Sequence, residues 1–294
     1  MKSGKIIISK ILVSFMTAAV MFTALPSVMP EAAQSFTVSE QMVGEGDLIE
    51  DIRGLKKLPE SDKAAFAEAI DKKYAHETLE DYSGEVTMDI QALMPVKMLG
   101  GSRVNTRIQI EAEAEDSAPS GLIRTDCSAK ISALFVSTKV ERLSYIDKNN
   151  GTEYVKTTID GETDDWVREK RDTSMLADTA IPFLKPENIR DIYEDPATGA
   201  YAVVLNVDEE SFHLLTGNSA KALDQIGVEE IDLSNSELIM TFDKGLAVVG
   251  MYGDLKDAVK GEEVSITECL FRCRITGINT GLTISLPEEA KKAK

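Results

Sequence analysis

The chain has little of what catalysis most often uses. Its 294 residues include two histidines, three cysteines and one tryptophan. His76 and His213 stand outside any His-x-x-x-His or His-Glu-x-x-His frame, which removes the usual zinc-hydrolase signature. There is no Gly-x-Ser-x-Gly elbow and no Gly-rich phosphate loop. No second Cys or His pair accompanies Cys269 and Cys273, so no structural zinc set is expected. Basic residues are also short: 32 Lys and Arg face 50 Asp and Glu, a formal charge of −18. Nucleic acid is excluded as a partner, because its binding needs cations to displace counterions from phosphates. Docking on anionic lipid by overall charge alone is disfavoured for the same reason. These absences argue against an enzyme and leave no cofactor or metal site to assign.

Long apolar runs are nearly absent as well. The one that exists, 11–25, follows Lys2, Lys5 and Lys10 and stops at Pro26. About 15 residues fall short of the roughly 20 needed to span a bilayer. Basic head, short apolar core and small residues near Ser35 have the layout of a secretory signal peptide, so residues 1–35 are expected to be removed. The alternative is an uncleaved anchor. Cleavage would leave a secreted or extracytoplasmic chain with no membrane span and no lipid-anchor cysteine. It would take away three Lys and one Glu, so the remainder carries −20.

What is abundant is alternation. Hydrophobic residues make up 43% of the chain, enough for a sizeable core. Residues 36–58 lack a period and read as a linker. Ser61 then starts an amphipathic helix with Phe66, Ile70, Tyr74 and Leu79 along its stripe, about five turns long. Period-two strands follow over 85–94 and 104–115, and one runs from Cys127 to Phe135. Further strands are expected at 140–147, 152–159, 164–168, 201–207, 237–243, 246–253, 264–275 and 282–286. Asn149-Asn150-Gly151 and Asp160-Gly161 have the chemistry of tight hairpins. Pro186 suits the first turn of a short helix, and Phe212, Leu215, Leu223 and Ile226 give a second helical stripe. The fold expected is α+β: a highly curved antiparallel half-barrel of about nine to eleven strands. An N-terminal helix and central helices would cover its concave face. The single domain spans 59–290, and 291–294 is a charged tail.

Four strand steps separate Cys269 from Cys273 by roughly 13 Å, too far for a disulfide. Cys127 can pair with either one only if the sheet brings it alongside; three buried thiols is the plainer reading. Glu111, Glu113 and Glu115 share one strand face and read as solvated surface. Trp166 reads as a packing residue.

Several segments together resemble the lipoprotein-carrier superfamily of LolA/LppX-like half-barrels, nearest its uncharacterised secreted Gram-positive domains. They are the helix running into Tyr82-Ser83-Gly84-Glu85-Val86, the stretch 152–157 with Trp166-Val167, and Leu184-Lys185-Pro186-Glu187-Asn188-Ile189. The most specific is the ending Ile278-Asn279-Thr280-Gly281 through Leu286-Pro287-Glu288-Glu289. The resemblance implies a cavity for a lipid or other apolar ligand. Ile108, Ile110, Ile131, Phe135, Tyr145, Phe242 and Phe271 are the expected lining residues. The competing reading is a structural or protein-interaction module of the cell envelope, in which the same side chains fill a solid core and the partner is an envelope protein.

Overall fold

Side chains two apart point to the same side of a strand, and here that rule organises nearly everything. The computed structural model describes residues 52, 54–74, 80–95, 102–170, 186–206, 228–234, 236–261 and 265–293. Residues 1–35, read as a signal peptide, most of the segment 36–58, His76, Leu79, His213 and the stripe expected at 212–226 lie outside the described residues. In chain order the elements are β1 (Lys56–Lys57), α1 (Asp62–Tyr74), β2 (Asp81–Pro95), β3 (Arg103–Ser117), β4 (Leu122–Ala133), β5 (Val136–Asp147) and β6 (Thr152–Ile159). There follow β7 (Glu162–Thr163), β8 (Val167–Lys170), a 3-10 turn at Pro186–Asn188, β9 (Ile189–Glu194), β10 (Tyr201–Leu205), β11 (Val228–Ile231), β12 (Glu237–Phe242), β13 (Val248–Gly261) and β14 (Ser265–Ile278). A last 3-10 turn spans Ala290–Lys292.

All described strands join one 14-stranded antiparallel sheet in the order β1-β9-β10-β12-β13-β14-β2-β3-β4-β5-β6-β7, with β11 beside β13 and β8 beside β6. The two ends of this order do not pair, so the sheet stays open. A twisted sheet this wide curls. Register shifts in β13 and β14 add bends where two residues oppose one. The result is a barrel-like, mainly β fold. The expectation of a helix-rich α+β domain is corrected: besides the single helical residue Ile52, the described residues hold one α-helical span, α1, and central helices over the concave face are not shown.

Alternation puts one apolar set inside. One register row runs Leu205, Leu238, Gly253, Phe271, Met88, Ile110, Ala129, Val140 and Ile159. At Gly253 a Cβ would lie 2.0 Å from the Phe271 ring, so glycine is the residue that lets that ring lie flat on its neighbour strand. Helix α1 seals the inner face near β10 and β12. Phe66 stands edge-on to Tyr201 at 5.3 Å and to Phe242 at 5.7 Å, the spacing aromatic quadrupoles prefer. On the opposite face, Ile52 packs with Ala202, Val204 and Ile239, and β1 pairs with β9. Ile52 and β1, in the segment read as a linker, thus pack against the sheet.

The C-terminal segment also departs from expectation. Leu282, Ile284 and Leu286 alternate like a strand, but their backbone does not enter the sheet. Instead Asp81, 2% exposed, accepts hydrogen bonds from the backbone N–H groups of Thr280 (2.8 Å), Gly281 (2.8 Å) and Leu282 (3.1 Å) and from the Thr280 hydroxyl (2.9 Å). Asn279 Oδ1 in turn accepts from the N–H of Glu80 at 2.9 Å. The Ser117 hydroxyl donates to the Leu282 carbonyl at 2.9 Å. This clasp holds the chain end across β2 and β3. Beyond it the buried Ala290 opens the last 3-10 turn, Ala290–Lys292.

Candidate functional site

Among the described residues the inner face is built by inward positions of the strands from β9 round to β6. Ile108 and Ile110 on β3, Ile131 on β4, Phe242 on β12 and Phe271 on β14 all fall in its one large apolar cluster, as their alternation requires. Two expected lining residues do not. Tyr145 is opposite Arg124 and Tyr154 on the outer face of β5, because Val140, Arg142, Ser144 and Ile146 take the inward places. Trp166 covers it, ring centroids 6.0 Å apart, which is why an outward Tyr is still buried. Phe135 is further from expectation. The strand ends at Ala133, Leu134 and Phe135 make a two-residue turn, and Phe135 is 102% exposed.

One corner of the inner face is polar, a feature that periodicity alone did not reveal. Arg142 faces Cys127 across the β4–β5 pair and donates to Glu153 at 3.0 Å; the two side chains are 14% and 7% exposed. Next to it Thr125 and Ser144 sit opposite each other, and the buried Thr125 hydroxyl has no hydrogen-bond partner among the described residues. Such orphans are rare in native interiors. Lys148 pairs with Asp116 at the same end of the sheet. Burial pushes the Asp116 carboxyl above the ordinary carboxylate range, and Lys148 opposes that only in part.

The three cysteines are buried and free. Cys127 and Cys273 share an inner row with Val86 and Ala112 between them, three strand spacings or about 14 Å apart, so they do not bond. Burial pushes each of the three thiols up to about 12, with Arg142 pulling slightly the other way on Cys127. All three pack in the large apolar cluster.

On the outer face of β2, β3 and β4 a depression of about 430 Å³ is lined by Glu85, Thr87, Glu111, Glu113, Asp126 and Ser128. Glu85, Glu113 and Asp126 stand side by side across the three strands. Among the described residues no group of three or more His, Cys, Asp or Glu is arranged to hold a metal ion. No described helix is long and apolar enough to cross a membrane.

The chain matches no protein-family model and no curated protein. Among solved structures it is similar to a beta-barrel-like protein of the domain of unknown function DUF1849 from Brucella abortus. That likeness has 12% identity and a TM-score of 0.26, and covers 69% of this chain and 99% of the other.

Proposed function

We propose that this chain is an exported, non-enzymatic binding module that holds an amphiphile, a lipid or acyl chain, against the inner face of its open barrel. The observation that supports the reading most is the pairing of a continuous apolar surface over β10 to β6 with one polar corner made by Arg142, Glu153, Ser144 and the unpartnered Thr125 hydroxyl. Apolar rows suit a hydrocarbon chain, and the corner suits its polar head. Export rests on the leader at 1–35.

The test is uptake of a fluorescent fatty acid. Wild type takes it up saturably and prefers the free acid to its methyl ester. Replacing the ion pair together, Arg142→Met with Glu153→Leu, keeps the fold and removes that preference. No saturable uptake by wild type overturns the proposal. A second reading, a structural or interaction module with a filled core, draws support from Phe66, which already occupies the inner face beside Tyr201 and Phe242. It expects no uptake and one specific envelope partner.

A further inference from the structure

The β4–β5 hairpin ends in Leu134 and Phe135, with Val136 opening the return strand, and these three are 62%, 102% and 65% exposed. Two-residue hairpins ordinarily carry Asn, Asp or Gly at such a turn. Here Leu134 holds φ 53°, a left-handed backbone that leucine adopts only at a cost. Folding gains nothing from either choice: three large apolar side chains go to water and the backbone is strained. Strain and exposed apolar surface together mark a docking element.

Charge says what it docks on. The first charged residues behind the tip on the outer face are Lys130 and Lys139, directly opposite each other, a like-charge pair that a sheet does not favour. The Lys139 ammonium is held by Glu141 at 2.7 Å, and its backbone N–H donates to Asp160 in the turn after β6. Lys130 has no ion-pair partner among the described residues. Arg107 and Arg103 extend the basic patch on β3, Arg107 paired to Asp89 and Arg103 donating to the Ser265 hydroxyl at 2.7 Å. The acids of β3 and β4 are set back; of the acids level with the lysines or ahead of them, Asp89 is paired to Arg107, Glu268 accepts from Gln91 and Asp160 accepts from the Lys139 N–H. Glu111 is level with Ser128, six residues from Leu134, about 20 Å along the strand. That is more than two Debye lengths at physiological salt, so their repulsion of an anionic surface is screened while Lys130 still reaches forward.

We propose that Leu134, Phe135 and Val136 insert as an apolar wedge into the headgroup region of an anionic lipid bilayer, with Lys130 and Lys139 against its phosphates. The wedge lies at the opposite end of β4 and β5 from the polar inner corner, and its action does not depend on what the inner face holds.

The three native thiols are buried, so a cysteine placed at exposed Ser137 takes a polarity-sensitive fluorophore selectively. In the full chain, labelled Ser137→Cys shifts its emission to the blue on mixed phosphatidylcholine and phosphatidylglycerol vesicles. Phe135→Asp, at a fully exposed site, removes the shift. Lys130→Gln weakens the vesicle titration roughly five-fold, the effect of one interfacial cation, and leaves pure phosphatidylcholine unaffected. Because the reporter is local, binding through the apolar stretch 11–25 does not imitate this pattern. An emission that no vesicle changes, or a shift that survives Phe135→Asp, overturns the proposal. A tip that engages a protein and no vesicle overturns it equally.

Discussion

Asp81 is where a single substitution should cost most for its size. Its buried carboxylate takes four hydrogen bonds from Thr280, Gly281 and Leu282. Bonds to a charged acceptor contribute about 1.5–3 kcal/mol each, but Thr280 and Gly281 are exposed enough for water to replace part of the loss. Asp81→Ala should therefore cost about 3 kcal/mol, and Asp81→Asn about 2 kcal/mol, because an amide oxygen accepts fewer bonds and carries no charge. The pH dependence separates this cause from a simple packing defect. Burial works against the charged form of Asp81, but the hydrogen bonds from Thr280, Gly281 and Leu282 together outweigh it and hold the carboxyl below its usual range. A group whose folded pKa is depressed stabilises the fold fully above its unfolded value, about 3.9, and loses that contribution as pH falls toward the folded pKa. Urea unfolding followed by circular dichroism should then show a steady gap between wild type and Asp81→Asn from about pH 7 to about pH 5, closing as pH drops below about 4. Asp116, raised by burial, has the opposite sign: its burden on the fold is relieved as pH falls through its folded pKa. A gap for Asp81→Asn that is unchanged down to about pH 3, or smaller than about 0.5 kcal/mol at neutral pH, would refute the clasp.

Other outcomes follow from single contacts. Gly253→Ala should lower the urea midpoint by the equivalent of about 3 kcal/mol, since the Phe271 ring must leave its place, and Phe271→Leu in the same chain should recover part of it. Glu153→Ala leaves Arg142 buried and uncompensated and should cost about 3–5 kcal/mol, far more than replacing both partners by apolar residues, as a double-mutant cycle would measure. Leu134→Gly should raise stability by about 1 kcal/mol by relieving the positive φ. A thiol reagent near neutral pH should find no reactive cysteine in the folded chain and all three in urea.

The strands were legible because alternation is a direct consequence of a two-residue repeat facing one apolar core. Asp160-Gly161 was legible as a hairpin for the same kind of reason: both residues take positive φ, at 50° and 88°. The failures have physical causes too. Leu134-Phe135 carries no turn chemistry, so the alternation of Ile131, Ala133 and Phe135 reads straight through the bend. Tyr145 sits in a run where both neighbours are buried, which hides its face. Leu282, Ile284 and Leu286 alternate, but a side-chain carboxylate 201 residues earlier in the chain, not a neighbouring strand, satisfies the Leu282 N–H. The polar corner depends on the register between β4, β5 and β6, which alternation within one strand does not specify.

Native mass spectrometry of the chain purified without detergent tests the central claim most directly. The account predicts a bound species heavier than the chain alone, removed by organic extraction and restored by added fatty acid. The bare chain mass at every stage, with no adduct after fatty acid is supplied, would contradict it.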